Sequence, residues 1–308
     1  MNETKICLLG GDSRQTALAY YLAQKGYETA VWGIPMPEPD TYCGAILPDF
    51  DGVRCTDPES AIAASRAVIL PLPATVDGVR LHTPSLHAVD ASRRRELRLT
   101  QLIDMLDKDT LLLAGRPGEV LRAMARNANI RLLDYYDNEA VQIRNAVPTA
   151  EGALALAMDK LPITIFGSSC AVLGYGRIGQ RLSSILLSLG AKVTVAARSE
   201  RDLNNAFILG CETRPLHQFL KEPGMPDVLF NTIPVPLIGE DMLRSLPKST
   251  LIMDLASIPG GIDPQIQTKG DYRILRASSL PGKTAPYTAG KILFETIEDI
   301  LASEGILV

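Results

Sequence analysis

The chain has 308 residues, more than one compact core ordinarily holds, so two domains are expected. Hydrophobic residues make up 46% and charged residues 21%, an ordinary globular composition that excludes a disordered chain. A formal net charge of -4 excludes the concentrated positive charge that nucleic acid or an anionic membrane surface requires, so an anionic ligand has to be held locally.

Met1 to Lys5 runs directly into an apolar strand pattern at Ile6 to Leu9, without the features of a signal peptide. No apolar run reaches membrane-spanning length, so a cytoplasmic protein is expected. The run Gly10-Gly11-Asp12-Ser13-Arg14 follows that strand but lacks a third glycine at dinucleotide spacing. Ser13 reads as a helix cap, and the place at a strand's carboxyl end keeps Asp12 and Arg14 as candidate ligand contacts. Further strands are expected at Thr29 to Trp32, Ala67 to Leu70, Thr110 to Leu113 and Arg131 to Tyr135. Helical patterns cover Gln15 to Lys25, Glu96 to Leu106 and Glu119 to Asn127. Apolar runs alternating with amphipathic segments predict a parallel sheet with crossover helices. The basic run Arg93-Arg94-Arg95, with Arg98, reads as a solvated helix face that is also available to a partner.

Pro148 is expected to open a helix through Leu161, with proline in the first turn and Glu151 near the positive end of the dipole. The second half then repeats the first. Its strands are expected at Cys170 to Leu173, Lys192 to Ala196, Asp227 to Thr232, Leu251 to Asp254 and Arg273 to Ala277, with helices at Gln180 to Leu189 and Asp202 to Leu209. The last helix, Ala289 to Ser303, carries Ile292, Ile297, Ile300 and Leu301 on one face. It either finishes the second domain or returns to the first. The expected organisation is α/β, with two Rossmann-like doubly wound parallel-sheet domains and an interdomain cleft. The first spans 1–147, joined by 289–308 if the last helix returns, and the second spans 148–288.

The segment Gly174-Tyr175-Gly176-Arg177-Ile178-Gly179 lies between a strand and an amphipathic helix, the context a dinucleotide loop requires. Gly174 permits a tight turn, Gly176 lets a pyrophosphate approach the backbone, and Gly179 lets helix and strand pack closely. The second strand ends at Arg198-Ser199, where an NAD-preferring domain offers a carboxylate to the ribose. Arg198 can pair with a 2'-phosphate, Ser199 can hydrogen-bond it and Arg201 adds charge, so NADP is the expected cofactor. Asn231, Thr232, Ile233 and Pro234 close the expected strand Asp227 to Thr232 and are expected near the nicotinamide ribose. His82, His87 and His217 show no metal-ligand spacing, and Cys7, Cys43, Cys55, Cys170 and Cys211 form neither a disulfide framework nor a zinc pattern.

Five ordered motifs carry a wider resemblance: Asn145-Ala146-Val147-Pro148-Thr149-Ala150-Glu151-Gly152, Leu173-Gly174-Tyr175-Gly176-Arg177, Phe230-Asn231-Thr232-Ile233-Pro234, Asp254-Leu255-Ala256-Ser257 with Pro259-Gly260-Gly261, and Leu280-Pro281-Gly282-Lys283-Thr284. With the opening Gly10-Gly11-Asp12 they make the chain similar to the dipicolinate synthase A subunits over nearly its whole length. That resemblance implies oxidation of dihydrodipicolinate to dipicolinate in sporulation, with a nicotinamide cofactor and the flavoprotein-like B subunit of dipicolinate synthase as partner, in a homo- or hetero-oligomer. The scaffold also resembles D-2-hydroxyacid dehydrogenases. Yet Ser257-Ile258-Pro259-Gly260 stands where those enzymes carry Arg-Gly, and Pro281-Gly282 where they carry a Pro-His pair. Hydride transfer on a 2-hydroxy acid is therefore disfavoured. A dicarboxylate substrate needs basic and hydrogen-bonding groups, for which Arg14, Arg144, Asn145, Thr149 and Thr284 are candidates. Ser257, Lys283 and Asp12 are the candidates for the reacting centre. A nucleotide-binding regulatory or scaffold protein without chemistry of its own, or a 2-hydroxyacid-type dehydrogenase, is the competing reading.

Overall fold

The computed structural model describes residues 5–35, 52–63, 65–84, 96–266 and 272–307. The run Arg93 to Arg95, His87 and Cys43 lie outside them. The chain forms two compact units, one of Met1–Gln142 with Ala285–Val308 and one of Ile143–Thr284.

The first unit holds strands β1 (Lys5–Leu9), β2 (Glu28–Trp32), β3 (Val53–Cys55), β4 (Ala67–Ile69), β5 (Leu111–Ala114) and β6 (Arg131–Asp134). They form one parallel sheet in the order β3-β2-β1-β4-β5-β6. Its helices are α1 (Ser13–Gln24), α2 (Pro58–Ala63), α3 (Leu99–Asp104) and α4 (Gly118–Asn127). Alternation along β1 divides the core: Ile6 and Leu8 join Leu18, Ile69 and Leu113 on one face, while Cys7 and Leu9 join Val68, Leu102 and Leu112 on the other. The chain's last helix, α11 (Pro286–Ser303), adds Ile292, Ile297 and Leu301 to the first of these faces. Gly290 makes that docking close, because a β-carbon there would lie 2.4 Å from Ala17 Cβ on α1. Burial of these apolar side chains contributes roughly 1.5–3 kcal/mol each.

Helix α5 (Glu139–Lys160) is longer than expected. Asn138 Oδ1 accepts from Ala140 N at 2.9 Å, so the helix opens nine residues before Pro148, which lies inside it rather than in the first turn. The run Ala140 to Ala146 continues the helix from that cap. The second unit follows with β7 (Ser169–Leu173), α6 (Arg177–Ser188), β8 (Lys192–Ala197), α7 (Glu200–Leu209), β9 (Glu212–Pro215), α8 (Leu216–Phe219), β10 (Val228–Asn231), α9 (Glu240–Ser245), β11 (Leu251–Asp254), β12 (Arg273–Arg276) and α10 (Leu280–Thr284). Its parallel sheet reads β9-β8-β7-β10-β11-β12, the same relation as in the first unit. Both sheets therefore reverse direction beside their first strand, at β1/β4 and at β7/β10. Such points open a crevice at the carboxyl ends of the strands.

Two strands were not foreseen, β3 and β9. Both are edge strands, with Arg54 and Cys55 exposed on one and Glu212 exposed on the other. An edge faces water and needs no continuous apolar run, so the pattern that reveals β7 or β10 is missing there.

Candidate functional site

The β7/β10 crevice is built by three glycines with different tasks. Gly174 has φ +89°, and a β-carbon on it would lie 2.6 Å from Thr232 Oγ1 and 2.9 Å from Ile233 Cγ1. A side chain there is excluded twice, by conformation and by space. Gly179 lies against the backbone itself, its absent β-carbon 2.2 Å from the Gly174 carbonyl oxygen, which brings α6 tight onto β7. Gly176 differs. It is the N-cap of α6, no side chain caps that helix, and a β-carbon on Gly176 would meet nothing within 4 Å. The first N–H groups of α6 thus open onto space that a side chain would fill, the arrangement that receives a phosphate.

Around this loop the sequence-expected residues fall into distinct roles. Arg177 is exposed at the start of α6, and Ile178 packs against the core of the unit. The side chain of Tyr175 is buried in that core, which pushes its hydroxyl pKa up. Thr232 donates Oγ1–H to the Leu173 carbonyl at 2.8 Å, tying the ends of β7 and β10. Ile233 is half-buried and Pro234 exposed. Asn231 is fully buried: its Nδ2 donates to Asp254 Oδ1 at 2.8 Å and to the Ile233 carbonyl at 3.0 Å. Its side chain faces the protein, so it shapes the crevice rather than reaching a ribose. Asp254 also accepts from Gly261 N at 2.9 Å, and a β-carbon on Gly261 would lie 1.9 Å from Asn231 Nδ2. The Asn231–Asp254 pair thereby pins the loop from Leu255 to Gly261, which displays Ser257 at the surface. Asp254 heads one of the ordered motifs but was given no role from the sequence, although a carboxylate ending the apolar run Leu251-Ile252-Met253 is a readable signal.

At the end of β8, Arg198 and Arg201 are exposed, and Ser199 is the N-cap of α7, its Oγ accepting from Asp202 N at 3.4 Å. Register places this strand end beside the glycine loop: Leu173 pairs with Ala196, and Gly174 N donates to the Ala196 carbonyl at 2.9 Å. Of the other second-unit candidates, Arg144 and Lys283 are exposed and Asn145 is buried. Thr149 and Thr284 correct the expectation for them. Their hydroxyl hydrogens go to the carbonyls of Asn145 at 2.7 Å and Leu280 at 2.9 Å, one helical turn back. As placed, neither donates to a carboxylate. Thr284 instead packs α10 on α5, its Oγ1 2.6 Å from where a Gly152 β-carbon would lie.

The first unit answers the same topology differently. Asp12, not Ser13, caps α1, accepting from Arg14 N at 3.0 Å. Arg14 Nε and Nη2 grip the two carboxylate oxygens at 2.9 and 2.8 Å, and Nη2 also donates to the Leu72 carbonyl at 2.5 Å. Burial pushes the Asp12 carboxyl pKa up, but the hydrogen bonds and charge of Arg14 outweigh it and hold it below the usual carboxylate range. The chain's own carboxylate thus takes the helix-terminal place that is open at Gly176. Among the described residues no group of three or more His, Cys, Asp or Glu could hold a metal, and no helix is long and apolar enough to cross a membrane.

Comparison with known proteins assigns the units. Residues 5–136 match the N-terminal domain of dipicolinate synthase A subunits, and residues 138–256 match the NAD-binding domain of D-isomer specific 2-hydroxyacid dehydrogenases. The dipicolinate synthase A subunit of Bacillus subtilis (strain 168) is 32% identical over 302 residues, covering 97% of this chain and 96% of the relative. The chain belongs to the family of dipicolinate synthase A subunits. Two solved structures agree. The dipicolinate synthase A chain from Bacillus subtilis has a TM-score of 0.78 at 29% identity, covering 98% of this chain and 97% of that one. The A subunit from Bacillus halodurans has a TM-score of 0.79 at 28% identity, covering 97% and 98%. As a member of this family the chain is an oxidoreductase-type protein with a nicotinamide-dinucleotide domain, and the open α6 terminus lies within that domain.

Proposed function

We propose that this chain oxidises dihydrodipicolinate to dipicolinate with NADP, in the cytoplasm of a sporulating cell and together with a B subunit. The observation that carries the reading is the uncapped α6 terminus at Gly176, in a chain related over 97% of its length to a dipicolinate synthase A subunit. The cofactor supplies the hydride acceptor. Gly174, Gly176 and Gly179 would hold its pyrophosphate on the α6 N–H groups, and Thr232 and Ile233 would wall the crevice beside it.

Arg198 selects NADP: its guanidinium pairs with a 2'-phosphate through two parallel hydrogen bonds, and Arg201 adds charge. Ser199 contributes as the cap of α7, holding Arg198 at the strand end. Loss of a hydride and one proton converts a dihydropyridine ring to an aromatic one, so the aromaticity gained lowers the barrier and the protein's task is to position the ring. The substrate carboxylates would be held by charged groups of the second unit, for which Arg144 and Lys283 serve, with Asn145 as a neutral donor. Ser257, displayed on the pinned loop, is a candidate acceptor of the ring proton.

The test is direct. The purified chain is supplied with enzymatically generated dihydrodipicolinate and either NADP or NAD, with and without the B subunit, and reduced cofactor and dipicolinate are followed by absorbance. NADPH and dipicolinate should form in equal amounts. No cofactor reduction under any condition refutes the reading, and preference for NAD refutes the role of Arg198.

A further inference from the structure

The first unit contains a buried polar group that its fold does not use. Gln15 stands third in α1, where a glutamine ordinarily folds back to accept the backbone N–H of the cap residue. Here its side chain covers the preceding turn: a β-carbon built on Gly11 would lie 2.4 Å from Gln15 Cγ and 2.9 Å from Pro71 Cβ. Gln15 Cγ therefore lies against the turns that leave β1 and β4, where the strand order of this sheet reverses. Gln15 is 1% exposed, and neither Oε1 nor Nε2 has a hydrogen-bond partner among the described residues. An apolar side chain of that size would fit without the cost of burying an unsatisfied amide. The amide thus calls for an occupant that completes it.

We propose that the turns after β1 and β4 form a site for a small carboxylate flanked by an N–H group, and that Gln15 is its recognising side chain. Nε2 donates to a carboxylate oxygen while Oε1 accepts from the neighbouring ring N–H, a two-point match that a carboxylate alone does not make. Arg14 supports the same occupant. Its Nε and Nη2 are used on Asp12 and Leu72, which orients the guanidinium and leaves Nη1 outside those bonds. A cyclic α-amino dicarboxylate fits both groups by hydrogen bonds, one carboxylate on Gln15 Nε2 and a donor left at Arg14 Nη1, the Arg14 charge being met by Asp12. This rests on the reading that the protein handles a ring dicarboxylate, and it adds the residue that reads the ring nitrogen.

The full chain is titrated by calorimetry with piperidine-2,6-dicarboxylate, which carries the N–H, and with pyridine-2,6-dicarboxylate, which does not. The parent should bind the first more tightly. Gln15→Met, nearly isosteric and without the amide, should weaken that binding by at least about tenfold, about 1.4 kcal/mol. The same variant should keep NADPH affinity and should melt, without ligand, at the parent temperature or above it. Equal binding by parent and variant overturns the inference, since the amide is then satisfied by water alone. A lowered melting temperature overturns it too, since Gln15 is then structural, as does a parent that binds neither acid. Turnover of dihydrodipicolinate, measured in parallel, judges the oxidation separately. A parent that reduces NADP while Gln15→Met binds normally leaves the oxidation standing and removes only the role of Gln15. A parent without turnover removes the oxidation whatever the titration gives.

Discussion

Alanine at Gly176 and at Gly179 should separate cofactor binding from folding within a single loop. At Gly179 the new methyl would lie 2.2 Å from the Gly174 carbonyl oxygen, over 1 Å inside an ordinary nonbonded contact of roughly 3.5 Å. Both sides of that clash are backbone, so α6 has to move off β7. Overpacking of this kind costs about 3 kcal/mol at its upper end, and alanine returns about 1 kcal/mol of helix propensity, leaving a loss of about 2 kcal/mol. That corresponds to a melting temperature lower by roughly 4–8 °C. At Gly176, φ is -78° and ψ -165°, a conformation alanine adopts freely, and nothing lies within 4 Å. The poorer cap costs up to about 1 kcal/mol, and the restricted unfolded chain returns about 0.4–1 kcal/mol, so the fold is nearly indifferent. Binding is not indifferent, because the methyl occupies the approach to the α6 N–H groups. Losing one hydrogen bond to a charged phosphate costs about 1.5–3 kcal/mol, roughly tenfold or more in affinity. Fluorescence titration with NADPH and calorimetric melting measure the two effects. A Gly176→Ala chain that binds NADPH as the parent does would refute the placement of the pyrophosphate. A Gly179→Ala chain that melts with the parent would refute the packing argument.

Arg198→Ala should reduce NADP affinity by about tenfold or more and leave NAD affinity nearly unchanged, read by parallel titrations with the two cofactors. Asp254→Ala leaves one Nδ2–H of Asn231 and the Gly261 N–H without their acceptor, and denaturant unfolding should show a loss on the order of 2–4 kcal/mol. Asp12→Asn should alter the acid side of the stability curve. The Asp12 pKa is depressed in the folded state, so its stabilisation is complete above the unfolded value near 4 and fades as pH falls through the folded value. The variant should be less stable than the parent at pH 7, and the difference should close below about pH 4, as measured by thermal melts across pH.

The glycine loop was legible in the sequence because its chemistry is local: spacing fixes the turn, the cap and the close packing of one strand against one helix. The central strands were legible for a related reason, since Leu251 to Met253 or Cys170 to Leu173 are buried on both faces and read as unbroken apolar runs. What failed depended on partners distant in sequence or on competition between local bonds. Val53 to Cys55 and Glu212 to Pro215 become strands only because a neighbour offers them an edge. Thr149 and Thr284 resemble ligand donors in sequence, yet the carbonyls four residues back claim their hydrogens. Asn231 lies where a cofactor contact was expected but bonds Asp254, a partner 23 residues away that spacing does not reveal.

Two sheets with one strand order reach different electrostatic states at their switch points, and the residue that caps the following helix separates them. At the second, glycine caps the helix and contributes no side chain, so the positive end of the α6 dipole is left for a ligand's charge. At the first, Asp12 caps the helix with a carboxylate that Arg14 holds from the side. A phosphate arriving at α1 would have to displace a carboxylate already bound to two guanidinium nitrogens and a backbone N–H. Topology thus offers two helix termini at the switch points, and side-chain chemistry leaves one of them open. What remains at α1 is a neutralised terminus with an amide beside it, which favours a ligand recognised by hydrogen bonds over one recognised by bulk charge. The division follows from Gly176 against Asp12, with Arg14 fixing that carboxylate and no glycine after β1 standing where Gly179 stands after β7.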